Sequence, residues 1–392
     1  MQRAAWCIIG TAMTSAQVIV LATPVFLLLI GAEFLLGWRR GRQTYRWADA
    51  LSSIGLGMIS QWVAVFSRAF TAALYLLVFE RLAPVRLPVD SPWVWLAALL
   101  LYDFCYYWHH RLGHTCALFW AAHVVHHQSE DYNLSTALRQ PGSGWLFGWL
   151  FYLPMALLGF PPLVVGTVAL VDLLYQFWVH TRQIGRLGWF DRWFCSPSNH
   201  RVHHAVNDRY LDRNYGGILM VWDRLFGSFV EEDDVEPIVY GTRKPLRSWN
   251  PITANLEVYA ALARDSWRAA SWADKLRVWF EPPGWRPADV AARWPLPAFE
   301  LARVQRFDPP ATPAALAAAV ALFVVALNLT AWFLWNAHHL PLLQQLGLAA
   351  AVMAALWAVG VLSGRDAAAT ARTGRPLPAA AAAGPGGDRP PA

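Results

Sequence analysis

Charge is scarce in this chain, and so is cysteine. Of 392 residues only 15% are Asp, Glu, Lys or Arg, against 56% hydrophobic residues and a mean hydropathy of +0.30. That composition excludes an ordinary water-soluble fold of this length and predicts an all-α, polytopic membrane protein. The four cysteines, Cys7, Cys105, Cys116 and Cys195, contain no CxxC pair. A disulfide framework and a thiolate metal site are thereby excluded, and the working face of the protein is expected in a reducing compartment. Also missing are a fixed-period repeat, a P-loop, a GxGxxG unit and a GxSxG elbow, which removes phosphate-cradling and serine-hydrolase chemistry. The net charge of +6 comes from arginines that are scattered or flank apolar runs, a pattern suited to anionic lipid head groups and not to nucleic acid.

What the chain does have is histidine, and it is concentrated. Ten of the twelve histidines fall between Trp108 and His204, in the blocks His109-His110-Arg111-Leu112-Gly113-His114, His123-Val124-Val125-His126-His127, a lone His180, and His200-Arg201-Val202-His203-His204. On a helix, positions i, i+3 and i+4 share a face, so each block presents a row of imidazoles. One structural histidine needs no explanation. Three HxxxH or HxxHH blocks do, because a buried unpaired imidazole is costly and neighbouring ones repel when protonated. Imidazole is a good ligand for iron, zinc, copper and nickel, and eight or nine convergent rings exceed what one ion takes, so two metal ions are expected. His109, His338 and His339 are expected to stay outside the ligand set.

The apolar runs decide whether these blocks can meet. The first fifteen residues faintly resemble a signal peptide, but the run Val18 to Leu36 follows almost at once and reads as an uncleaved span. Trp38-Arg39-Arg40-Gly41-Arg42 after it is a cytoplasmic anchor under the positive-inside rule. Ile54 to Phe79, interrupted by Arg68, reads as one tilted span or two shorter pieces, and Trp93 to Trp108 as a third span. Trp145 to Phe160 and Leu163 to Val179 read as a hairpin that enters the membrane and returns. All histidine blocks then emerge on the cytoplasmic side.

Five regions follow from this reading: N-terminal transmembrane helices over 1–90, a catalytic region over 91–250, an interfacial helix and linker over 251–312, a transmembrane hairpin over 313–363 and a disordered Ala/Pro/Gly tail over 364–392. Within them, Asp208 to Trp249 reads as a polar cap whose acidic stretch Glu231 to Asp234 is a solvated loop. Asn255 to Phe280 reads as one interfacial amphipathic helix.

A ligand set of nearly all neutral imidazole, with sparse carboxylates, favours a histidine-rich di-iron centre that activates O₂ for attack on an unactivated C–H bond. The bilayer would deliver the substrate as an alkyl or acyl chain. The residues alone leave open a membrane metal-binding or transport protein, although transporters place polar ligands at mid-membrane and these blocks sit at span ends.

Asp103-Phe104, Tyr106-Tyr107-Trp108, the HxxxH and HxxHH blocks and His200-Arg201-Val202-His203-His204 resemble the fatty acid hydroxylase and sterol desaturase superfamily from about Trp93 to Trp249. Three further segments resemble the alkylglycerol monooxygenase family within it: the undecapeptide Glu130 to Gln140, Leu174 to Thr181, and Asn214-Tyr215-Gly216-Gly217. The resemblance implies a monooxygenase that uses O₂ and a membrane lipid, hydroxylates the ether-bearing carbon of an alkylglycerol and releases a fatty aldehyde. It implies two Fe ions ligated by His110, His114, His123, His126, His127, His200, His203 and His204 with His180 as a ninth, and electrons from tetrahydropterin or a redox protein. Asp103, Glu130, Asp131 and Asn199 are the nearest groups to orient those imidazoles, and Glu130, Asp131 and Asn199 are the candidates for further catalytic roles. Thr115 departs from the family, where an acidic residue is expected after the second histidine. A sterol, carotenoid or fatty-acid hydroxylase or desaturase with another electron donor is the sibling alternative.

Overall fold

The computed structural model describes residues 14–364, so the leader expectation at the N-terminus and the disordered tail fall outside the described residues. Among the described residues the protein is helical, with two isolated β-bridges, Phe194 to Leu219 and Ala205 to Tyr240, and no strand. Helix α1 runs Ser15–Arg39, capped by Thr14, and α2 runs Trp47–Arg81. At 1.5 Å per residue, the 35 residues of α2 extend about 52 Å. It is therefore one continuous helix, not two pieces, and Arg68 is kept within it by a hydrogen bond from its guanidinium to Gln61 at 3.3 Å.

Helix α3, Pro92–Thr115, carries the first histidines at its C-terminal end, and α4, Ala117–His127, turns back across them. Gly113 lies at this crossing, within van der Waals reach of the His123 side chain. Helix α5, Leu134–Ala137, is capped by Asn133. Then come α6, Trp149–Leu157, and α7, Pro162–Trp178. The turn between them rests on Gly159, at φ +81, where a side chain would collide with the carbonyl of Val85.

Short helices α8 (Trp189–Trp193), α9 (Pro197–His203) and α10 (Val221–Leu225) build the cap. The single helix expected over Asn255 to Phe280 is instead two, α11 (Pro251–Arg268) and α12 (Trp272–Phe280). The break is held locally: the Lys275 ammonium donates to the carbonyls of Ser266 and Trp267, satisfying the end of α11, while Asp289 takes the freed N–H of Ala270. After α13 (Ala288–Arg293), helices α14 (Pro313–Asn336) and α15 (Leu342–Leu362) form a long antiparallel pair.

Helices α1, α2, α14 with its following turn, and α15 are long and apolar enough to cross a membrane, and the protein is an integral membrane protein. Their outer faces present large apolar side chains outward, as at Leu28, 73% exposed. Helix α3, expected as a third span, is not among these four, because Asp103, His109, His110, Arg111 and His114 interrupt its apolar character. Inside the bundle Trp62 stacks on Phe333 at 3.6 Å and donates to Thr330. The histidines sit beyond this apolar core, where α3, α4, α7 and α9 end.

Candidate metal centre

The chain separates its histidines by almost a hundred residues, and the fold brings nine of them into two adjoining groups. His110, His114, His123, His127 and His203 form one, with one ligand atom each and all within 4.8 Å of one another. His126, His180, His200 and His204 form the other by the same measure. The helical spacing explains the partition: α4 sends His123 and His127 to one group and His126, on the adjacent face, to the second. His127 and His204 stack across the boundary at 4.3 Å. His109, by contrast, stacks on Phe151 at 4.9 Å, and His338 and His339 lie past the far end of α14, so all three are outside both groups.

Hydrogen bonds fix how these rings point. Backbone carbonyls of Tyr215, Arg139, Gln176 and Arg213 lie 2.8 to 3.0 Å from Nδ1 of His110, His126, His180 and His203 respectively. A carbonyl only accepts, so each Nδ1 carries the proton and each Nε2 is a lone pair aimed inward. His126 and His180 then face one another lone pair to lone pair at 3.2 Å. Nε2 of His114 and of His203 is buried with no partner. Burial pushes His126 down to about 4 and holds His123, His127, His180, His200, His203 and His204 below the usual imidazole range, so the rings are neutral. A cluster of inward lone pairs on neutral, buried imidazoles fits a cation in each group; ring-to-ring contacts such as His200 to His180 at 3.0 Å can pair some of the nitrogens, but not the facing lone pairs of His126 and His180 or Nε2 of His114 and His203.

The carboxylates expected to orient these rings do other work. Glu130 accepts the N–H of Phe307 at 2.5 Å. Asp131 pairs with Arg46 at 2.9 Å, and Asn199 donates to the carbonyls of Asp191 and Phe194. None of the three bonds an imidazole; at His110, His126, His180 and His203 a backbone carbonyl holds the Nδ1 position instead. Asp103 acts one step further out, accepting the N–H groups of Ile218 and Leu219 and the indole of Trp222, and so anchors the loop that carries Tyr215.

Sequence reasoning missed four contributors. Arg139 is fully buried and bonds the carbonyl of Val125, Ser52, Ser53 and Gln128 while its own carbonyl orients His126. Tyr132 stacks on His180 with ring centres 5.6 Å apart and donates to the carbonyl of Val179. Glu232 is not part of a solvated loop: both its oxygens grip the Arg201 guanidinium, at 2.7 and 2.6 Å, behind the last histidine block. Asp212, at φ +56, sets a carboxylate oxygen 3.3 Å from Nδ1 of His114, beside the place where Thr115 lacks one.

A cavity of about 590 Å³ opens from the histidines toward the spans. His110, His123, His126 and His180 line one part of it, and Ile19, Phe26, Leu327 and Leu334 another. Its size and apolar walls suit a chain-like lipid.

Residues 95–228, which hold every one of these histidines, match the family model described as fatty acid hydroxylase. Over that region the chain is similar to the fatty acid hydroxylase family. The alkylglycerol monooxygenase of Homo sapiens is 40% identical over 267 residues, covering 68% of this chain and 59% of the human protein. That of Xenopus tropicalis is 39% identical over 266 residues, with the same shares covered. An ornithine lipid hydroxylase of Rhizobium tropici is 31% identical over 132 residues, 33% of this chain and 40% of that protein. The chain thus spans less than two thirds of the length of the curated relatives it matches. No solved structure matches it. Both histidine groups come from the one contiguous match over residues 95–228.

Proposed function

We propose that the protein is an integral-membrane di-iron monooxygenase that hydroxylates the ether-bearing carbon of an alkylglycerol and so releases a fatty aldehyde. The observation that carries this reading is the pair of all-imidazole groups opening onto an apolar cavity. His110, His114, His123, His127 and His203 would hold one iron, and His126, His180, His200 and His204 the other. When bound, the iron pair supplies O₂ activation and oxidation of an aliphatic C–H bond. The chain's own residues do the rest: the carbonyls of Tyr215, Arg139, Gln176 and Arg213 hold the rings in register, and the cavity positions the chain of the lipid beside them. Electrons come from tetrahydropterin, with a redox protein as the alternative donor.

The cytoplasmic placement of the site is supported by the basic loop after α1. Arg40 donates to the carbonyl of Gln183 at 3.2 Å, three residues from His180, so the anchor Arg39 to Arg42 and the histidines share a side. The similarity to an ornithine lipid hydroxylase favours, as second reading, a sibling lipid hydroxylase or desaturase acting on another head group. Anaerobic purification with metal analysis, then O₂-dependent turnover of labelled alkylglycerol with and without tetrahydropterin, tests the first reading. Failure to form aldehyde, with oxidation of another lipid, moves the conclusion to the second.

A further inference from the structure

One buried acid has no part in the metal centre. Asp172 lies on α7, about 9 Å along the helix axis from its last residue, Trp178, and eight residues before His180 in the chain. Only 3% of it is exposed, yet it lines the cavity, and its Oδ1 has no partner. Its other oxygen accepts from Gln176 Nε2 at 2.6 Å, and Gln176 Oε1 in turn accepts the Tyr106 hydroxyl at 2.7 Å. This relay holds the carboxyl in one orientation. Gly217 keeps space beside it: a Cβ there would lie 2.7 Å from Oδ1 and 2.8 Å from the Tyr106 ring.

The geometry points to Asp172 as the residue that receives a head-group hydroxyl of the lipid, an assignment that rests on the alkylglycerol reading above. A hydroxyl can donate and accept, so it completes Oδ1 whether the carboxyl is ionised or protonated. An ether oxygen in its place cannot donate, so it leaves the lone pairs of Oδ1 unpaired and can only accept a proton that Oδ1 carries, whereas a hydroxyl serves both. Asp172 thereby determines specificity for free hydroxyls, while the apolar remainder of the cavity takes the alkyl chain.

The test is equilibrium binding to the full-length, metal-loaded protein without O₂, so that no turnover intervenes. The probes are a 1-O-alkylglycerol and its 2,3-di-O-methyl ether, against wild type, Asp172→Asn and Asp172→Leu. Wild type is expected to prefer the diol by roughly 10- to 100-fold. Both variants should lose most of that preference with metal content unchanged. Should either substitution prevent folding, Tyr106→Phe, which loosens only the far end of the relay, should reduce the preference in the same direction. Equal weakening of both lipids, or an undiminished preference in folded variants, overturns the assignment of Asp172 alone. Wild type that binds neither lipid overturns the alkylglycerol reading and this inference with it.

Discussion

Nε2 of His126 and Nε2 of His180 face each other at 3.2 Å, on rings that each spend their Nδ1 proton on a backbone carbonyl. Two lone pairs at that separation repel unless a cation lies between or beside them. His180→Ala should therefore lower bound iron from about two per chain to about one, since only one group loses a ligand. His338→Ala, outside both groups, should leave metal content unchanged; iron per chain in the two purified variants is the comparison.

The Arg201 and Glu232 pair predicts a stability effect. Both side chains are largely buried, at 8% and 17% exposure, with two charge-assisted bonds between them. Glu232→Ala strands a buried guanidinium behind His200 and His204 and should destabilise by about 3 kcal/mol. Arg201→Lys should recover little, because an ammonium cannot form the planar fork. Thermal unfolding of the detergent-solubilised variants measures this.

Asp103 accepts three donors from the loop that ends in Trp222. Removing the carboxylate leaves them unsatisfied and frees the segment whose Tyr215 carbonyl orients His110. Asp103→Ala should cost roughly 1–3 kcal/mol and accelerate loss of metal to a chelator. Asp103→Asn, which keeps one acceptor oxygen, should fall between it and wild type in the same chelator assay.

Chain-length selection should follow from the cavity. Ala331 lines it on α14, away from the histidines. Ala331→Phe adds a ring to that wall and should shift preference toward shorter alkyl chains, with iron content unchanged. Competition between long and short alkylglycerols for binding reads the shift directly.

How much of this was legible beforehand depended on whether the information was local. HxxxH and HxxHH spacing is a property of one helical turn, so the histidine rows could be read off the sequence, and His180 joined them through the hairpin topology. The partition into groups of five and four was not legible, because it depends on the angle at which α4 crosses α3 over Gly113. The carbonyls that orient four of the rings were not legible for a related reason: every residue has a carbonyl, and only the fold selects those of Tyr215, Arg139, Gln176 and Arg213. Glu232 reaches Arg201 across 31 residues of chain, and Asp212 reaches His114 across 98, along loops whose path leaves no periodic trace.

Each histidine group is expected to hold one metal ion. Iron and zinc analysis of anaerobically purified full-length protein tests it most directly. About two irons per chain are expected, one for each group. A preparation that is folded and binds lipid yet holds less than about half an iron, or holds zinc in its place, contradicts the claim.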